Sequence, residues 1–202
     1  MSESRLTNLD GNLSNLAKRL ESYSRERLYI EGFRSAAVLV PIIQAESGLE
    51  LLFTIRSAGL SSHAGQIAFP GGRVEPEESS QQAALRESFE EIALEQDSAH
   101  ILGELDDHPS PARYIVTPVV AIIKPQAFIP NPDEVASTFS VPLADLAKIV
   151  PYTEDRHLWG YSRRLHFYRW QEHLIWGLTG NVVKNLLELF QEGAVERPWR
   201  ID

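Results

Sequence analysis

The stretch FPGGRVEPEESSQQAALRESFEEIAL, Phe69 to Leu94, decides how this chain folds. Two glycines follow a proline, and acidic residues crowd in behind them. From Glu78 onward the apolar residues recur at helical spacing, which predicts a helix over 78–92. At about 100° per residue, Leu85, Ser88, Phe89 and Ile92 share one face. Glu87, Glu90 and Glu91 take the opposite face. Glu87 and Glu91 stand i,i+4 with Glu90 beside them, so like charges repel and weaken the helix. Solvent screening offsets such repulsion on an ordinary acidic face. A hard divalent cation offsets it too, because Mg²⁺ and Mn²⁺ prefer carboxylate oxygen and water.

Outward from this stretch, the chain reads as strands with a few helices. SAAVLVPII (35–43) and LELLFTIR (49–56) read as strands joined by a turn at QAESG. QIAF (66–69) is a short apolar run ending at the Pro-Gly-Gly corner. HILGEL (100–105) and YIVTPVVAIIK (114–124) read as further strands. NPDEVASTF (131–139) begins as a loop and leads into VPLADLAKIV (141–150), which reads as a short helix. RRLHFYRW (163–170) alternates like a strand, and TGNVVKNLLELF (179–190) reads as a closing amphipathic helix. Leu9, Leu13, Leu16 and Leu20 recur at helical spacing and predict an N-terminal helical extension over 1–30, packed on a single domain spanning 1–202. Together these elements point to an α/β (α+β) fold. The strand order is not derivable from these patterns.

The 202 residues suffice for one well-buried domain. A formal charge of −9 disfavours generic binding to nucleic acid or to an anionic membrane. The absence of cysteine excludes a disulfide framework, a thiolate nucleophile and cysteine-ligated zinc. With no apolar run of spanning length and no signal-peptide core near the start, the expected location is cytoplasmic. There is no G-x-S-x-G elbow to support a serine hydrolase triad. His63 has no second histidine at metal spacing and reads as a hydrogen-bonded loop residue. Sheet packing accounts for the tract RLHFYRW, although its rings and cations also suit an adenine.

Counted from Gly72, the chain reads Gly72, five residues, Glu78, seven residues, Arg86-Glu87, two residues, Glu90-Glu91, one residue, Ala93-Leu94. This resembles the Nudix box, G-x5-E-x7-R-E-U-x-E-E-x-G-U, with U apolar. Every charged position is filled. Ser88 replaces an aliphatic residue, and Ala93 replaces a glycine. If the helix exit needs positive φ, alanine there costs roughly 1–2 kcal/mol. The resemblance implies a mixed β-sheet sandwiched between helices, with the box as a loop-helix-loop at the active site. It implies metal ligation by Glu87, Glu90, Glu91 and the carbonyl of Gly71, with Mg²⁺ or Mn²⁺ as cofactor. It also implies that Arg86 braces Glu78, a structural role.

The residues before the box, LLFTIRSAGLSSHAGQIAFPGG (51–72), resemble the signature of the coenzyme A pyrophosphatase branch. Leu52, Thr54, Arg56, Ser57, Gly65, Phe69, Pro70, Gly71 and Gly72 carry it. A basic residue often present in the spacer falls near Ser61 and is missing. The resemblance implies hydrolysis of coenzyme A or a derivative at its diphosphate, giving phosphopantetheine and adenosine 3′,5′-bisphosphate. Arg56, Ser57 and Gly72 are the candidate substrate-binding residues, and Arg56 reads equally well as a surface cation. Glu91 and Glu134 are rival candidates for the catalytic base. Another nucleoside diphosphate derivative such as ADP-ribose is the alternative substrate, and a non-catalytic nucleotide-binding regulator is the alternative class. The partner is expected to be this small molecule, with no nucleic acid and no membrane; a homodimer is the family-level expectation.

Overall fold

The computed structural model describes residues 3–59, 64–158, 161–191 and 199–201. Ser61 and His63 therefore lie outside the described residues. In chain order the elements are α1 (Glu3–Ser22), β1 (Arg34–Ala45), β2 (Gly48–Arg56), β3 (Ile67–Ala68), β4 (Gly71–Arg73), α2 (Ser80–Ile92) and β5 (Ala99–Glu104). There follow β6 (His108–Pro109), β7 (Tyr114–Ile123), β8 (Val135–Pro142), α3 (Leu143–Leu146), β9 (Tyr152–Leu158), β10 (Tyr161–Trp170), β11 (His173–Ile175), α4 (Gly177–Phe190) and β12 (Trp199–Ile201).

The central pair is β1 and β7, which run parallel from Arg34↔Tyr114 to Ile43↔Ile123. β7 is buried along nearly its whole length, and β1 is buried through most of Ala36–Ile43. That explains why AAVLVPII and IVTPVVAII are continuous apolar runs rather than alternating ones. Around this pair the order β3-β2-β1-β7-β5 forms a mixed sheet, with β4 added to β1, β6 to β7 and β8 to β2.

Helices cover both faces. On one side Val40, Ile42, Leu51, Phe53 and Val120 pack with Leu16 and Leu20 of α1 and with Val182, Val183, Leu186 and Leu187 of α4. On the other, Ala37, Leu39, Leu52, Val119 and Ala121 pack with Ala83, Ala84 and Ile92 of α2. The alternation of odd and even positions along β1 assigns each side chain to its layer. The result is the expected mixed sheet sandwiched between helices. A smaller antiparallel sheet follows, in which β10 pairs with β9, β11 and β12.

Two sequence expectations need correction. Residues 135–142 form β8, a full strand beside β2 from Glu50↔Pro142 to Arg56↔Val135. The short helix expected over 141–150 is the single turn α3. The β-branched and aromatic residues in VASTFSV fit a pleated edge, and the adjacent β2 supplies the hydrogen bonds. The predicted faces of α2 are also rotated. Phe89 is 55% exposed, whereas Ala83, Ala84, Ser88, Glu91 and Ile92 are buried. Small residues let α2 approach the sheet closely, and Glu91 thereby faces inward.

Between β1 and β2 the sheet splits. Their hairpin pairs only Ile42–Ala45 with Gly48–Leu51. Beyond it, β1 pairs with β4 (Ala36↔Arg73 to Val38↔Gly71) and β2 pairs with β3 (Thr54↔Ala68, Ile55↔Ile67). The Pro70-Gly71 corner is thus inserted into the sheet beneath α2, with the Leu39 amide donating to the Pro70 carbonyl at 2.8 Å.

Candidate active site

The site is assembled from the β4 corner, helix α2 and the turn before β8. Gly71 has φ 152°. A Cβ there would lie 2.3 Å from the Ala37 carbonyl oxygen and 2.5 Å from Val38 Cα. A Cβ on Gly72 would lie 2.4 Å from the carboxylate of Glu87. Two different contacts therefore require the Gly-Gly pair: backbone against backbone at Gly71, and backbone against carboxylate at Gly72.

Helix α2 starts at a capping box. The Gln82 amide donates to Ser79 Oγ at 3.2 Å, and the Ser79 amide donates to Gln82 Oε1 at 2.9 Å. It ends at Ala93, which stands at φ 53° in the left-handed region. The amides of Ala93 and Leu94 donate to the carbonyls of Phe89 and Ser88. Ser88 is fully buried, and its hydroxyl donates to the Ala84 carbonyl at 2.6 Å.

Arg86 joins the entry loop to the helix. Its Nε donates to Glu78 Oε1 at 2.9 Å and its Nη2 to Glu78 Oε2 at 3.1 Å, a bidentate pair. Nη2 also donates to the Arg73 carbonyl at 2.9 Å. Nη1 donates to Glu87 Oε1 at 3.0 Å and to Glu90 Oε2 at 3.3 Å. The hydrogen bonds from Arg86 hold the Glu78 carboxyl below the usual carboxylate range. The guanidinium in turn is held firmly charged.

The turn before β8 is tied to the same helix. The Asn131 amide donates to the Glu91 carbonyl at 2.8 Å, and the Ile129 amide to the Ile92 carbonyl at 3.0 Å. The Ser57 amide donates to the Glu134 carbonyl at 2.8 Å. Carbonyls left over at the end of α2 thus anchor the segment that carries Glu134.

A cavity of about 540 Å³ opens over these parts, lined among others by Arg56, Gly71, Gly72, Glu87, Glu91 and Glu134. Glu91 is only 3% exposed, and the Gly71 amide donates to its Oε2 at 3.1 Å. Burial pushes its carboxyl up to about 7; the Gly71 bond opposes this, the charge of Glu134 adds to it, and Arg56 pulls back. Burial also raises Glu87, against its hydrogen bond from Arg86. Arg56 Nε is buried with no hydrogen-bond partner among the described residues.

Not every sequence candidate reaches the cavity. Neither Glu90 nor Ser57 is among the lining residues; the Glu90 carboxylate is about half exposed and accepts from Arg86. Arg163 and Trp176 do line it, and sequence reasoning singled out neither. The available signals were the aromatic-cationic tract around Arg163 and the unusual exposed Trp176 before α4.

The donor set fits a hard divalent ion. Among the described residues no three acidic or histidine side chains are gathered into a ready-made shell. Mg²⁺ needs no such shell, since one or two carboxylates suffice when water fills the remaining positions. Glu87 and Glu91 could supply that pair, and the desolvated Glu91 carboxylate would gain most from a counter-ion.

Residues 33–165 match the model of the NUDIX domain. A protein from Photorhabdus laumondii bearing the name uncharacterized Nudix hydrolase NudL is 43% identical over 161 residues, covering 78% of this chain and 86% of the relative. Its namesake from Yersinia enterocolitica is 38% identical, covering 76% and 80%. Among solved structures, an Ap4A hydrolase of C. elegans in a binary complex superposes with a TM-score of 0.48 at 26% identity, covering 56% of this chain and 84% of that one. The family match spans more than half of the sequence and contains the whole Gly72-to-Leu94 motif, with its glutamates and arginine placed as described, so the chain belongs to the Nudix hydrolase family.

Proposed function

We propose that this Nudix hydrolase cleaves the diphosphate of coenzyme A or a derivative, releasing phosphopantetheine and adenosine 3′,5′-bisphosphate. Members of the family generally use a divalent cation such as Mg²⁺ or Mn²⁺ and act on small nucleotide derivatives. The observation that carries the reading is Arg56. It belongs to the upstream signature resembling the coenzyme A branch, and it lines the same cavity as Glu91 with its Nε buried and unbonded. A phosphate oxygen satisfies that donor, which otherwise bears an uncompensated desolvation cost.

In this reading Glu87 and Glu91 hold the cation, and Arg86 orients Glu87. Glu90 accepts from Arg86 and helps hold it, and the ligand role that the family resemblance implies for Glu90 completes the same acidic face. Bound at this position, a divalent ion neutralises the diphosphate and lets a chain of charge −9 accept a polyanion. Arg56 takes a phosphate oxygen, and the Gly72 backbone leaves room for the reacting group. Glu134 accepts the proton of the attacking water, since Glu91 is engaged elsewhere. The alternative substrate, ADP-ribose or a dinucleotide, gains weight from the missing basic residue near Ser61.

Incubation with coenzyme A, ADP-ribose and a dinucleoside polyphosphate, each with Mg²⁺, Mn²⁺ or chelator, decides the matter. The expected result is adenosine 3′,5′-bisphosphate from coenzyme A only with metal. Preferential turnover of another diphosphate overturns the substrate assignment. Glu134→Gln should lower kcat by about 10²–10⁴-fold while leaving the metal-induced rise in Tm intact. Glu91→Gln should abolish both. Loss of the Tm shift in Glu134→Gln would reassign Glu134 as a ligand.

A further inference from the structure

The cavity is continued by the small sheet, where its chemistry changes from carboxylate to aromatic. Trp176 follows β11 and precedes α4; it lines the cavity and remains 37% exposed. Its ring stacks on Phe167 with centroids 5.6 Å apart and planes 6° from parallel. Phe167 stacks in turn on Tyr152 at 4.4 Å and 9°. Phe167 is buried, so the indole rests on a fixed ring rather than swinging freely.

The backbone beneath it is equally restrained. The Gly180 amide donates to the Trp176 carbonyl at 3.3 Å, and the Thr179 hydroxyl donates to the Ile67 carbonyl at 3.2 Å. A Cβ on Gly180 would lie 2.2 Å from the His166 carbonyl oxygen, so the start of α4 sits directly against β10. Ile67 is four residues before Gly71, so one short run of chain links the aromatic region to the carboxylate region. Arg163 lines the cavity from β10, on the same strand face as Phe167, because residues two and four apart share a face.

We propose that Trp176 is the platform on which the adenine of the substrate stacks, and that Arg163, which lines the same cavity four residues from Phe167 along β10, receives the phosphate carried on the ribose. This rests on the reading of the substrate as an adenine nucleotide diphosphate. A partly exposed indole, held flat by two further rings, presents a broad π-face at little entropic cost. Purines stack well on such faces. The pantetheine half offers no ring, and so gains nothing from this geometry. A guanidinium in the same cavity matches a second anionic group, which coenzyme A carries on its ribose and ADP-ribose lacks. Trp176 and Arg163 are therefore specificity residues, distinct from the group that performs the cleavage.

The test uses the full chain in chelator, so that binding is read without turnover. Adenosine 3′,5′-bisphosphate, 5′-AMP and 4′-phosphopantetheine are titrated by calorimetry. Trp176→Leu keeps apolar bulk against Phe167 and removes the ring. It should weaken the bisphosphate about tenfold or more, while Trp176→Phe stays within about threefold. Phosphopantetheine binding should be unchanged in both. Arg163→Gln should erase the preference for the bisphosphate over 5′-AMP. With coenzyme A and metal, Trp176→Leu should raise KM and spare kcat. Unchanged nucleotide affinity in Trp176→Leu, or a loss confined to phosphopantetheine, overturns the platform even if the enzyme cleaves coenzyme A. Conversely, ring-dependent nucleotide binding in a chain that cleaves no diphosphate supports the platform and removes the hydrolytic reading alone.

Discussion

Neighbouring glycines in this protein answer to different constraints. Gly71 faces backbone, which cannot yield, while Gly72 faces the end of a flexible carboxylate, which can. Gly71→Ala should therefore cost at least about 2–3 kcal/mol of stability in a denaturant titration. Gly72→Ala should unfold almost as the parent does, yet lose most of its turnover, because its methyl displaces Glu87. Equal stability losses in both variants would refute this division. Ala93 presents the reverse situation. It holds φ 53° at the exit of α2, where a Cβ is strained. Ala93→Gly should raise stability by about 1 kcal/mol, visible as a higher denaturation midpoint at unchanged m-value.

At the scale of the element, α2 is a helix whose two ends serve its middle. Capping fixes its start, the left-handed exit presents its last carbonyls to the 129–134 segment, and Arg86 binds its acidic face to the entry loop. The repulsion between Glu87 and Glu90 is met within the protein by this one guanidinium, which bonds both. Lysine keeps the charge but lacks the planar fork. Arg86→Lys should cost about 1 kcal/mol in stability, the pair being partly solvated, and weaken Mg²⁺ about 10- to 100-fold through a loosened Glu87. Metal affinity from Tm shifts across a Mg²⁺ series checks it; parental affinity in the lysine variant would show that the brace does not position Glu87.

At the scale of the whole molecule, two buried titratable groups oppose one another. Burial raises Glu91 to about 7 from its ordinary 4.5. It lowers His108 to about 4 from 6.5, opposed by the nearby Asp106 and assisted by Lys184 and Arg163. The contribution of Glu91 is complete below 4.5 and is lost as pH rises toward 7. The contribution of His108 is complete above 6.5 and is lost as pH falls toward 4. Each amounts to about 3 kcal/mol, so between pH 4.5 and 6.5 they nearly cancel. In chelator the parent should show a shallow stability profile over that window. Glu91→Gln should unmask His108, with stability climbing by about 2–3 kcal/mol from pH 4.5 to 6.5. A flat profile in that variant would mean that His108 titrates normally.

Much of this protein was legible along the chain. The continuous apolar runs of β1 and β7, the helical period of α2, and the order of Gly72, Glu78, Arg86 and the glutamates depend on local spacing, which a linear reading sees directly. Tertiary structure decided the rest. VASTFSV became a strand only because β2 offered its edge. Glu91 turned inward, and Phe89 outward, because Ala83, Ala84 and Ser88 let the helix settle close to the sheet. Of the helix carboxylates, Glu87 and Glu91 line the cavity, and Glu134, more than forty residues further along the chain, joins them on a turn bonded to the end of α2. Arg163 joined them from β10 of the second sheet, and Trp176 from the start of α4. Periodicity records which side chains share a face of their own element. Which face meets which neighbour is set by the packing of elements distant in sequence, and that packing assembled the cavity.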